Sequence, residues 1–153
     1  MALHIAQLDI EKYEQMVHAS GWFALRNVAR RVAQLYDQML APTGLRVMQL
    51  GILRVCGCCG PISIAGLARE LVAERTTIMR SLKPLIATDL LRRTQVAGGK
   101  ERVLIELTAR GQTALASAIV HWDHAQRDLI DQLGEARWSR LKTQLSAIAN
   151  VAP

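Results

Sequence analysis

Aromatic residues are scarce in this chain, acids are outnumbered by bases, and the few cysteines sit in one place. Aromatics make up 4% of the 153 residues, so Leu, Ile, Val, Ala and Met must fill whatever core forms. The three cysteines, Cys56, Cys58 and Cys59, are an odd number crowded into four positions. That excludes a disulfide framework and points to a reducing, cytoplasmic setting. Long apolar runs are missing too. The uncharged stretch Val55–Ala68 is interrupted by Gly57, Gly60, Pro61 and Gly66 and is too short to span a bilayer, so no membrane partner is expected. The opening residues MALHIAQLDIEKYEQ hold no basic stretch followed by an apolar one, so no secretory signal is expected. There is no glycine-rich phosphate loop, no nucleophile elbow, and no Ser/His/Asp or Cys/His arrangement at recognisable spacing. An enzymatic role and a required cofactor are therefore not expected. Internal repeats, low-complexity stretches and interdomain linkers are absent as well.

Half of the residues are hydrophobic and 21% are charged, the balance of one folded domain over 1–153 with a core of its own. Lys and Arg number 19 against 13 Asp and Glu, a formal charge of +6. Such an excess favours a polyanionic partner, nucleic acid or an anionic surface.

Helical spacing governs most of the chain. Val17, Leu25, Val28, Val32, Leu35 and Leu40 recur at helical steps between Glu14 and Leu40, and Ala41-Pro42-Thr43-Gly44 ends that helix. A second helix is expected over Arg46–Cys58, apolar almost all round and therefore central. Ser63 can cap a short helix over Ile64–Leu71, and another runs over Arg75–Thr88 with Ile78, Leu82, Leu85 and Ile86 as its stripe. The period then falls to two: Leu91–Val96 and Arg102–Leu107 read as strands around a turn at Ala97-Gly98-Gly99-Lys100. Thr108 can cap a long helix over Ala109–Leu133. After Gly134, a last helix over Glu135–Ala149 carries Trp138, Leu141, Leu145 and Ile148 on one side. The expected fold is mostly α with a small β-hairpin (α+β), a winged helix-turn-helix core within helical flanks.

The chemistry concentrates between Ser63 and Leu85. Two short amphipathic helices joined by Val72-Ala73-Glu74 have the layout of a helix-turn-helix, with the second as the reader. If Ile78, Leu82 and Leu85 face the core, then Arg75, Thr76, Thr77, Met79, Arg80 and Lys83 lie on or near the opposite side. Arg can meet a guanine edge with two donors, Thr can offer a hydroxyl to phosphate and a methyl to thymine, and Lys can neutralise phosphate. Arg69, Arg75, Arg80, Lys83, Arg92, Arg93, Lys100 and Arg102 face only Glu70, Glu74, Asp89 and Glu101 in this stretch, a net +4 of the chain's +6. Double-stranded DNA is thus the expected partner, with Ser63, Arg75, Thr76, Thr77, Met79, Arg80, Lys83, Arg93, Lys100 and Arg102 as candidate contacts. The bland alternative is a solvated basic face on a structural helix pair.

The stretch LARELVAERTTIMRSLKPLIATDLLRR, a glycine-bearing turn and then VLIELTARG resemble the MarR-type (multiple antibiotic resistance regulator) transcription factors. The likeness extends over nearly the whole chain, to the C-terminal AQRDLIDQLGEARWSRL. It implies a homodimer on a pseudo-palindromic operator, usually a repressor released by a small ligand, metal or oxidant. Residues 1–40 and 109–153 would supply the dimerisation helices and 45–108 the DNA-binding lobe. Arg75, Thr76, Thr77 and Arg80 fall where the family's recognition helix meets the major groove. The wing departs from the pattern: the family's Asp-x-Arg positions are Gly99 and Glu101 here, leaving Lys100 and Arg102 as the neighbouring bases. Pro84 within the recognition helix is similar to the Leu-Lys-Pro-Leu that family members tolerate.

Three sensors stay open. Cys56, Cys58 and Cys59 form either a thiol switch or soft-metal site, or inert packing at a helix end. His121 and His124, three apart on one helix, are either two metal ligands or solvated side chains. Trp22, Arg26 and Met48 either line a pocket for a small aromatic or organic effector, with Arg26 meeting a carboxylate, or are packing and surface residues. A reading from a different class is a basic architectural or anti-repressor protein that binds DNA without sequence preference.

Overall fold

The computed structural model describes residues 20–95 and 103–151. The turn expected at 97–100, with Gly99, Lys100, Glu101 and Arg102, lies outside the described residues, as do residues 1–19. By internal contacts the chain forms two units, Met1–Leu35 and Tyr36–Pro153. In chain order the elements are α1 (Gly21–Leu40), a short 3-10 turn (Ala41–Thr43), α2 (Val47–Cys59), α3 (Ile64–Glu70), α4 (Arg75–Ala87), β1 (Leu91–Gln95), β2 (Val103–Leu107), α5 (Ala109–Leu133) and α6 (Glu135–Val151). The mostly helical architecture with one antiparallel hairpin is the expected one.

Local chemistry sets the helix starts. The Ser63 Oγ accepts from the Gly66 N–H at 3.0 Å, and the Thr108 Oγ1 accepts from the Gly111 N–H at 2.9 Å. Each satisfies one of the backbone donors that a helix N-terminus leaves unpaired. The start of α2 is met differently, by a side chain ten residues upstream: the Val47 N–H donates to the Asp37 carboxylate at 2.7 Å. A carboxylate at that end also complements the helix dipole. Gly44 takes φ +72 after the Pro42 turn, a left-handed conformation that glycine adopts without steric cost.

The core of the second unit is built on α2. Leu50, Ile52, Leu53, Val55 and Cys56 of that helix are buried, and they meet Leu67 of α3, Ile78, Leu82 and Leu85 of α4, Leu91 of β1, Ile105 of β2 and Ala118 of α5. The all-round apolar character of α2 follows from this central position. Gly111 permits a close approach, because a Cβ there would run into the Leu90 carbonyl oxygen and the Leu107 side chain.

β1 and β2 pair antiparallel in the register Leu91↔Leu107, Arg92↔Glu106, Arg93↔Ile105, Thr94↔Leu104 and Gln95↔Val103. A feature without any local signature adds to the hairpin. Ile62 and Ile105 exchange both backbone hydrogen bonds, at 2.9 and 2.8 Å, so the residue before the α3 cap serves as a one-residue third strand. The bridge ties the wing to the segment that positions α3.

The helices at the ends are less covered. In the first unit, Trp22, Leu25 and Val28 of α1 are exposed. No residue of α6 is buried; Trp138 and Leu141 are half-buried, while Leu145 and Ile148 are exposed. Among the described residues no helix is long and apolar enough to cross a membrane.

Candidate nucleic-acid interface

α4 is held by one stripe and presents the other. Ile78, Leu82 and Leu85 are buried, each worth roughly 1.5–3 kcal/mol of apolar transfer, and they fasten the helix to α2 and β1. Three- and four-residue spacing then turns Arg75, Thr76, Met79, Arg80 and Lys83 outward, and all five are exposed. Thr77 is half-buried, because it precedes Ile78 and sits at the border of the buried stripe. Pro84 removes the N–H that would bond the Arg80 carbonyl, yet the helix continues to Ala87. The Pro84 carbonyl accepts from both the N–H (3.0 Å) and the hydroxyl (2.9 Å) of Thr88, which closes the C-terminal turn.

The turn between α3 and α4 holds a strained residue. Val72 has φ +46 and is 94% exposed. A β-branched side chain in the left-handed region costs about 1–2 kcal/mol.

Among the described residues, two ion pairs involve the cations of this region. Arg92 meets Glu106 across the hairpin at 3.0 Å, and that hydrogen bond and charge raise the guanidinium pKa further. The other ion pair among the described residues, Arg69 with Glu70, spans 3.9 Å between exposed groups and is worth little. Arg75, Arg80, Lys83 and Arg93 pair with no described acid and are exposed. Arg93 lies next to Arg92 on β1, so strand alternation points it away from the Glu106 pair. Ser63 is half-buried, and its oxygen is engaged in capping α3; only its O–H stays available to a further acceptor. The face thus offers a helix of mixed guanidinium, hydroxyl and methyl groups, with a basic strand beside it.

The sensor candidates are distributed over separate places. Cys56 is buried while Cys58 and Cys59 are exposed. Burial, with a smaller contribution from Cys59, pushes the Cys56 thiol up to about 11, which keeps it protonated and unreactive at neutral pH. His121 is half-buried and His124 exposed. Among the described residues no three His, Cys, Asp or Glu side chains come close enough to hold a metal ion, and a closed site needs four ligands. In the first unit Arg26 stacks over Trp22, 5.6 Å from the ring centroid; Trp22 is 62% exposed. Met48 is half-buried against the core of the second unit.

A cleft that sequence reading missed lies between α2 and α5. Val47, Leu50, Gly51 and Arg54 line one side and Ile119, Trp122 and Asp123 the other, around about 500 Å³. That volume suits a small molecule. The Tyr36 ring lies 6.1 Å from that of Trp122, and the Tyr36 hydroxyl donates to the Gln126 Oε1 at 2.6 Å. The Gln126 Nε2 is buried without a partner among the described residues. Sequence spacing carries no signal that Trp122 and Asp123 line one cleft with Arg54.

No protein-family model matches the sequence, and no curated protein matches it. Solved structures do. The transcriptional regulator MosR of M. tuberculosis is 28% identical, with 88% of this chain and 96% of that one covered at a TM-score of 0.75. Its crystal structure in complex with DNA is 29% identical over 86% and 95% of the two chains, at a TM-score of 0.73. The transcriptional repressor CouR bound to p-coumaroyl-CoA superposes at a TM-score of 0.78, with 22% identity over 88% and 94%. MarR from E. coli in its apo form is 18% identical over 84% and 96%, at a TM-score of 0.71; at these lower identities the likeness is one of fold.

Proposed function

We propose that this chain, a MarR-type winged helix-turn-helix protein, is a transcriptional regulator that reads double-stranded DNA with α4. The observation that carries the reading is the exposed face of α4. Arg75, Arg80 and Lys83 project from a helix anchored by three buried residues, with no described acid to neutralise them. Arg80 and Arg75 address base edges in the major groove, while Lys83, Arg93 and the hydroxyls of Thr76, Thr77 and Ser63 address the backbone. Met79, 53% exposed, offers an apolar contact to a thymine methyl. Lys100 and Arg102, which lie outside the described residues, are further candidate contacts from their charge and sequence position alone. The solved complex of MosR with DNA, 29% identical to this chain, supports the same partner here.

The regulator acts as a homodimer. The exposed apolar residues Trp22, Leu25 and Val28 of α1, and Leu145 and Ile148 of α6, support a second copy of the chain as their cover, and two readers about one DNA turn apart, roughly 34 Å, read a two-fold operator. A small organic effector enters the cleft between α2 and α5, where Trp122 supplies an aromatic wall and Arg54 and Asp123 supply polar groups of opposite charge. Since α2 carries the core that supports α4, and α5 continues toward the exposed helix α6, an effector there shifts the population between spacings of the two readers and lifts repression.

A titration of the purified protein against its own upstream DNA, with unrelated DNA as competitor, tests the reading. Selective binding at about 10 nM or tighter is expected of a site-specific regulator. Arg80→Ala weakens that selective binding by about 10- to 100-fold, with an unchanged melting curve. Equal binding to every duplex, falling only with salt, would instead fit a basic architectural protein.

A further inference from the structure

We infer that Cys58 and Cys59, the last two residues of α2, form a binding site for trivalent arsenicals that carry one organic substituent. The three cysteines of the chain are of two kinds. Cys56 is 2% exposed and belongs to the core. Cys58 and Cys59 are free thiols exposed to solvent, and neither lines the cleft between α2 and α5.

Both sulfurs can reach one centre. Consecutive Cα atoms lie about 3.8 Å apart, but successive helical side chains diverge by about 100° around the axis. They converge only where side chain and backbone are free to turn. The pair meets that condition, because both side chains are exposed and helix ends fray. Cys59 is the last helical residue, and Gly60 follows it at φ +70.

Valence selects the ligand. Thiolates are soft ligands and take soft centres over the hard cations that prefer oxygen. Among the described residues no third His, Cys, Asp or Glu joins the pair, and a closed zinc site needs four ligands. The pair therefore suits a centre that two sulfurs complete. Arsenic(III) with one organic substituent is such a centre. With an arsine oxide, R–As=O, two As–S bonds form while the As=O bond and both S–H bonds break, and the two thiol protons leave with the oxygen as water. Arsenic stays trivalent and sulfur is not oxidised, so no oxidant or reductant takes part. The organic substituent projects into solvent, and its size has little influence. The site needs only the two thiols and goes beyond the DNA-binding reading without resting on it.

Phenylarsine oxide, added to the reduced full chain in excess 2-mercaptoethanol, tests the assignment. The monothiol strips arsenic held by a single cysteine, whereas arsenic closed into a ring by two cysteines is retained, since the second bond forms within one molecule. Intact-mass spectrometry is expected to show one phenylarsenic group per chain in place of two protons, and 2,3-dimercaptopropanol, itself a dithiol, removes it. Cys58→Ser and Cys59→Ser, both surface changes, each weaken retention by at least about a hundredfold. Cys56→Ala retains the arsenical as wild type does. No retention by wild type, full retention by either serine variant, or loss of retention in a folded Cys56→Ala would overturn the assignment. The last result, together with retention in Cys58→Ser, would make Cys56 and Cys59 the pair instead. The two serine variants decide the matter even if Cys56→Ala fails to fold.

Discussion

α4 and α6 are both amphipathic helices with apolar residues at helical spacing, but the chain treats them differently. In α4, Ile78, Leu82 and Leu85 are buried against α2 and β1, so the opposite face is free to be polar and basic. In α6 nothing is buried: Leu145 is 41% and Ile148 49% exposed. The same periodic pattern therefore has two meanings. Where the stripe is satisfied within the chain, we assign recognition to the outward face; where it is left open, we assign the stripe itself to contact with a second copy of the chain.

The largest effect should come from the covered stripe. Leu82→Ala removes a buried side chain and lowers unfolding free energy by about 2–5 kcal/mol, readable in urea titration. Ile148→Glu acts on the open stripe and should halve the mass seen in sedimentation, with the lobe's fold intact by circular dichroism. If Ile148→Glu leaves the mass unchanged, or if Leu82→Ala is as mild as a surface substitution, the contrast between the two helices fails.

A smaller effect probes the depth of the covered side. Burial raises the Cys56 thiol from an ordinary 9.0 to about 11, so the folded state holds its proton more tightly than the unfolded chain does. This stabilisation is complete below pH 9 and is lost as pH climbs from about 9 to 11. We expect a fall of about 1–2 kcal/mol over that window, allowing for relaxation around the site. In Cys56→Ala this share of the slope disappears; an unaltered slope would mean that Cys56 is solvated. Tyr36, also raised by burial, contributes in the same direction and remains in the variant.

The smallest effect lies in the turn that separates α3 from α4. Val72→Gly relieves a φ of +46 and should raise stability by about 1 kcal/mol, net of the greater freedom glycine has when unfolded. A loss of stability would show that Val72 has a packing role that its 94% exposure does not suggest.

Legibility in the sequence followed the range of the interaction. Ser63 and Thr108 were readable as caps because a cap and its N–H lie three residues apart, and the α4 stripe was readable because helical spacing is a local rule. Helix limits at α2 and α4 differed from expectation by a residue, since end residues depend on what packs beside them. The Ile62–Ile105 bridge had no such signal, because a single residue pairing across the chain leaves no period behind. Arg92 and Arg93 looked alike as neighbouring bases, yet the hairpin register sets Arg92 against Glu106 and leaves Arg93 with no described acid. The cleft between α2 and α5 stayed invisible for the same reason: Arg54 and Trp122 line one space only after helices distant in sequence come together.

By itself, then, the sequence determined the order of elements, the winged helix-turn-helix plan and the basic character of α4. These depend on spacing and composition, which act over a few residues. Tertiary structure alone decided which apolar stripes are covered, which cations are neutralised and where space remains for a ligand. Burial, ion pairing and cavities arise between segments, and their energies exist only once those segments have packed.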